Sequence, residues 1–156
     1  MRRMRPVRWT IAALLLLVPS LAHANGAATY SSRCAMCHRP DGAGLPGQFP
    51  RLSGRVGQIA GAKDGRVLLG KILLYGMYGS ITVDGKPLTG LMPPMGSLPD
   101  QDIADVLNHV ASFKKAGKPP APFTAAEIAA LRATRLSSAA VGAERASLAA
   151  KGVVVP

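Results

Sequence analysis

The segment Arg33-Cys34-Ala35-Met36-Cys37-His38 sets two thiols three positions apart and an imidazole beside the second. On a helical turn such thiols share a face, where each can add to one vinyl group of a haem. The adjacent His38 can then reach the iron with a ring nitrogen. In an exported chain, C-x-x-C-H reads first as a c-type haem attachment site. Three other chemistries use the same residue types. A thioredoxin-like redox pair calls for a strand and a βαβ pattern around it, and the flanks here read as loop. A structural zinc site needs four ligands, and Cys34, Cys37 and His38 leave only His109, which reads as a packed core histidine on an apolar helix face. A disulfide between Cys34 and Cys37 would close too small a loop to stabilise much.

A second candidate is Thr89-Gly90-Leu91-Met92-Pro93-Pro94-Met95-Gly96. Two prolines fix φ and remove two backbone donors, so helix and central strand are closed to it. Methionine ordinarily fills irregular core gaps, but its thioether is also a soft ligand for haem iron. These residues by themselves leave Met92 and Met95 both open as ligands. Met36 and Met77 read as surface or core filler.

The chain begins MRRMRPVRW, continues with the apolar run Ile11 to Val18 and reaches Ala22-His23-Ala24. This order describes a secretory signal peptide over residues 1–24, cut before Asn25, and implies the periplasm. The apolar run is far shorter than the roughly 20 residues that cross a bilayer, so no membrane span is expected in the mature chain. Loss of Arg2, Arg3, Arg5 and Arg8 from 19 basic residues, against 8 acidic ones, leaves a charge of about +7, which favours an acidic partner protein. No basic patch is interleaved with aromatics, which argues against nucleic acid. Trp9 leaves with the signal, and three Phe and three Tyr remain, a thin aromatic supply for a core.

These groups need elements to position them. Gly26 to Cys34 reads as a short helix. Residues 40–61, rich in Gly and Pro, read as an ordered loop. Val67, Leu68, Ile72 and Leu73 give a helix ending near Gly76, and Ile81 to Lys86 a small hairpin turned at Asp84-Gly85. Ile103, Val106, Leu107, Val110 and Phe113 mark the clearest helix, with Asp100, Asp102 and Asp105 at its start and Lys114, Lys115 and Lys118 at its end, suiting the dipole. Gly117 and Pro119-Pro120 stop it. Thr124 and Glu127 form a capping box, with Phe123 and Ile128 as its staple, so a further helix starts at Ala125. The division expected is a domain over 25–117 and an extension over 118–156, one helix and then irregular chain.

The order C-x-x-C-H, Asp41-Gly42-x-Gly44, Phe49-Pro50-x-Leu52-x-Gly54, a helix, Gly90-x-Met92-Pro93 and Leu98-x-Asp100-x-x-Ile103-Ala104 resembles the mono-haem class I cytochrome c family. It is most similar to small bacterial cytochromes and to cytochrome domains associated with oxidases, nitrite reductases and periplasmic dehydrogenases. The resemblance spans roughly residues 26–113. It implies an all-α fold, a few helices around one haem c bound through Cys34 and Cys37, with His38 and Met92 as axial iron ligands. It further implies that the Pro50 carbonyl orients His38, that Leu52, Leu68 and Ile72 line the pocket, and that Met95 packs. The activity implied is one-electron transfer rather than catalysis, as a shuttle or as a subunit of an oxidoreductase. Arg33 and Arg39, beside the attachment site, would steer an acidic dehydrogenase, reductase or oxidase. Two alternatives stay open: a haem enzyme or ligand sensor whose methionine dissociates, and a thiol oxidoreductase using Cys34 and Cys37. The chain departs from the family at Pro99, where a Ser or Thr cap is usual, so Ser97 or Asp100 should cap instead. It departs again at His109, where an aromatic is common, and in its short first helix.

Overall fold

The computed structural model describes residues 22–114 and 118–154. All but the last three residues of the expected signal peptide lie outside these, as does the stop at Gly117. Among the described residues, seven helices and one hairpin follow in the order α1 (Ala22–Arg33), α2 (Ala35–His38), α3 (Arg55–Ile59), α4 (Lys63–Tyr75), β1 (Met77–Val83), β2 (Lys86–Met92), α5 (Asp100–Ala111), α6 (Ala125–Leu131) and α7 (Ser138–Ala150).

The frame is the crossing of α1 and α5. It depends on Gly26, because a Cβ there would sit 2.3 Å from the Asp105 carbonyl oxygen. Such close backbone approach admits only a residue without a side chain. From α5, Ile103, Val106, Leu107 and Val110 turn inward and are buried, as the helical spacing requires. Tyr30 of α1 is 2% exposed and stacks edge-on against Phe113 at 5.0 Å, while His109 meets Phe113 at 4.8 Å. The core role expected of His109 is therefore an aromatic one.

The expectation of an all-α fold is corrected by the hairpin. Asp84 and Gly85 take positive φ of 53° and 75°, the turn geometry that matches strand twist. The strands run from the turn to the antiparallel pair Met77 and Met92, well past the Ile81 to Lys86 segment expected. Ile81 and Leu88 face each other across the ladder and are both buried. A two-stranded sheet has no central strand, so Thr89 to Met92 can pair on one side before the prolines end the ladder.

The cap of α5 also differs. Pro99 is the N-cap and no side chain caps it; Ile103 N–H donates to the Pro99 carbonyl at 3.1 Å. Asp100 is instead engaged by Arg132 from the extension. The capping box of α6 is present in both halves, with Glu127 N–H donating to Thr124 Oγ1 and Thr124 N–H to the Glu127 carboxylate.

Residues beyond Leu131 are not irregular: α7 is a second helix of the extension. Its N-cap is Ser137, whose Oγ accepts from Ala140 N–H at 3.1 Å. Gly142 crosses β1 so closely that a Cβ would fall 2.0 Å from the Tyr78 carbonyl oxygen. Lys71 of α4 bonds both carboxylate oxygens of Glu144 at 2.8 Å. Val141, Leu148 and Val154 enter the same core as α1, α4 and α5.

Candidate functional site

A cavity with about 860 Å³ of empty space, part of it open solvent, lies between α1, α3, α4, α5, α7 and the hairpin. Its walls are overwhelmingly apolar. Cys34, His38, Pro50, Leu52, Ile72, Met92 and Met95 all reach it. Of the residues expected in the pocket, Leu68 does not: it is 1% exposed in the core, and its neighbour Leu69 lines the cavity instead. Successive helix positions differ by about 100° in direction, enough to exchange pocket for core. Cys37 is half-buried on α2 outside the cavity wall.

The short helix α2 carries the attachment motif. Cys37 N–H and His38 N–H both donate to the Cys34 carbonyl, at 3.2 and 2.9 Å, closing one tight turn. His38 is 7% exposed and its Nδ1 lies 3.0 Å from the Pro50 carbonyl oxygen. A carbonyl only accepts, so the proton sits on Nδ1 and Nε2 keeps its lone pair. Burial holds the His38 pKa below its ordinary value, opposed by the Pro50 bond. The ring is thus neutral and oriented, as a metal-ligating imidazole must be. Burial pushes the Cys34 thiol up, with a further rise from Cys37. The two cysteines are not bonded to each other.

Three arginines missing from the expected set shape the surroundings. Arg51 grips Asp84 at the hairpin tip with two bonds of 2.6 and 2.9 Å and also bonds the Ser53 carbonyl, so the loop carrying Pro50 is tied to the hairpin carrying Met92. Arg55 and Arg145, on α3 and α7, are 5% and 7% exposed and both line the cavity. Spacing in sequence carries no sign of such long-range partners; the Ser137 cap was the available signal for α7.

The donor set fits a haem. Among the described residues no group of three or more His, Cys, Asp or Glu could hold a bare metal ion. An apolar slot bordered by a thiol, a neutral imidazole and the three thioethers of Met77, Met92 and Met95 suits a large planar macrocycle with an iron at its centre.

The cytochrome c family model matches residues 23–114, and the chain belongs to that family. Cytochrome c-552 of Thermus thermophilus is 44% identical over 147 residues, 92% of this chain and 99% of that one. The gluconate 2-dehydrogenase cytochrome c subunit of Pantoea cypripedii is 36% identical over 110 residues, 69% of this chain but 24% of the subunit. The cytochrome c subunit of a quinone alcohol dehydrogenase from Gluconacetobacter polyoxogenes is 33% identical over 124 residues, 78% of this chain and 25% of the subunit. Membership carries a covalently bound haem c, for which Cys34 and Cys37 stand at the family's spacing. It also carries electron transfer as the work of the chain. No described helix is long and apolar enough to cross a membrane.

Proposed function

We propose that the chain is a periplasmic carrier of single electrons whose haem iron is held by His38 and Met92. When bound, the haem supplies a one-electron couple. The observation that supports this reading most is the His38 tautomer: with Nδ1–H given to Pro50, Nε2 is the nitrogen left for iron, in a cavity that Met92 also lines. Met92 closes β2 opposite Met77, so its backbone is held by a ladder, with two prolines behind it. Met95 also reaches the cavity, with its N–H donating to the Leu73 carbonyl at 2.7 Å; it packs there.

The extension spends its apolar face on its own core through Ile128, Val141 and Leu148, which favours a free shuttle over a subunit docked by that segment. Met36, 92% exposed between the two cysteines, is flanked by the exposed Arg33 and Arg39. This face meets an acidic redox partner such as a dehydrogenase, reductase or oxidase, and the exchange rate falls with added salt.

The test is the long-wavelength sulphur-to-iron charge-transfer band of the oxidised, exported protein. It is expected in the wild type and in Met95→Ala, and absent from Met92→Ala. A band lost only in Met95→Ala reverses the ligand choice. Rapid binding of carbon monoxide by the reduced wild type would favour an enzyme or sensor with a dissociating methionine.

A further inference from the structure

Asp105 is buried against α1 with half of its carboxyl group unanswered. It is 2% exposed. Its Oδ1 accepts from Gln101 Nε2 at 2.8 Å, but Oδ2, shut off from solvent, has no hydrogen-bond partner. It is the one such side-chain atom among the described residues. A buried polar oxygen left in this way is costly, and more so when it carries charge. Asp100, at the start of the same helix, is by contrast held by Arg132.

The helix crossing brings one end of α1 to this carboxyl group. Gly26 meets the Asp105 backbone and His109 Cβ, while Tyr30, one turn further on, meets the rings of His109 and Phe113. The two helices therefore run in the same sense where they touch, and the residues ahead of Gly26 lead toward the Asp105 end of the contact. The Asp105 carboxyl group leans the same way, because side chains tilt toward the start of their helix and Gln101 holds it from one turn back.

We propose that export creates the missing partner: the α-ammonium of Asn25, freed when the signal is cut, pairs with Asp105 and locks the crossing of α1 and α5. This rests on the reading of residues 1–24 as a signal peptide. Hydrolysis of the Ala24–Asn25 bond takes up one water; Ala24 leaves as a carboxylate and Asn25 keeps the nitrogen as an ammonium. A neutral peptide nitrogen with a single N–H thus becomes a cation with three donors. The cut also leaves α1 beginning at Asn25, with its first N–H groups free at the positive end of the helix dipole, a place that favours an anion. The uncut chain has only the neutral nitrogen there, so removal of the signal completes the crossing.

The experiment uses the exported, haem-loaded protein. Intact mass establishes whether the chain begins at Asn25, and the rate at which acetic anhydride acylates the α-amine at pH 7 is read on the N-terminal peptide by mass spectrometry. Only the free amine attacks the reagent, so an ammonium held by a carboxylate reacts more slowly. Wild type and the exposed control Asp64→Asn are expected to react about tenfold more slowly than Asp105→Asn. If Asp105→Asn does not accumulate, an Ala-Ala insertion ahead of Asn25, its mass checked in the same way, moves the ammonium away from Asp105 and should react at the faster rate. Equal rates in wild type and in whichever variant accumulates overturn the pairing, even if the melting temperatures differ. A wild-type chain that begins elsewhere overturns the signal reading, and the proposal with it.

Discussion

Arg132 and Asp100 are joined across 32 residues by a bond of 2.5 Å from Nε to Oδ1. The same guanidinium donates to the carbonyls of Gly96 and Leu98 at 2.7 Å each. One side chain from the turn after α6 therefore closes the segment between the methionines and α5, where no side chain caps the helix.

Removal of that clamp should cost stability without unfolding the chain. Bonds to charged groups contribute about 1.5–3 kcal/mol each when well formed, and this one is partly exposed. Arg132→Gln is expected to lower stability by about 2 kcal/mol, read by denaturant unfolding. No loss would mean that solvent already supplies the three acceptors.

The α7 crossing leaves no room for a methyl group. Gly142→Ala would drive a Cβ into the Tyr78 carbonyl, and overpacking of this kind costs about 1–3 kcal/mol. The melting temperature should fall, whereas Ala146→Ser, on an exposed position of the same helix, should leave it unchanged.

The α6 capping box gives an acid-dependent contribution. Burial raises the Glu127 pKa, but the Arg66 guanidinium and the Thr124 backbone and hydroxyl outweigh it and hold the carboxyl below its ordinary value. The unfolded chain then binds the proton more readily, so this stability is present above about pH 4.5 and is lost as pH falls through the folded value. Glu127→Gln should melt below wild type at pH 7, and the gap should narrow as pH falls below about 4.5.

Tyr30 gives the opposite sign at the alkaline end. Its hydroxyl donates to the Arg39 carbonyl at 2.6 Å, and burial, with smaller effects of Cys34 and Asp41, pushes its pKa up to about 12. The neutral phenol belongs to the folded state, so its contribution is whole below about pH 10 and fades as pH rises toward 12. Ultraviolet titration should show one late phenolate step that Tyr30→Phe removes.

The parts legible in sequence were those whose partners lie within a turn or two. C-x-x-C-H, the Thr124–Glu127 box, the Asp-Gly turn and the apolar stripe of α5 are all local patterns, and local geometry realises them. The hairpin's length was hidden because Gly79 and Gly90 interrupt the β-branched run, and ladder pairing with Met77 supplied the order. The alanine-rich α7 lacks a broad apolar stripe, since its close contact with β1 uses a glycine in place of bulk. Leu68 and Leu69 share one helix that faces both core and cavity, and periodicity alone does not say which face is which. The roles of Arg51, Arg55, Arg132 and Arg145 depend on residues or cavity walls distant in sequence, and no spacing rule carries that information.

Val154, 2% exposed, belongs to the core beside Val141 and Leu148, although the family pattern ends at residue 114. The residues after 114 supply Phe123, Ile128, Val141, Leu148 and Val154 to one hydrophobic cluster with Tyr30, Leu68 and Ile103, so the matched region and the extension share a single interior.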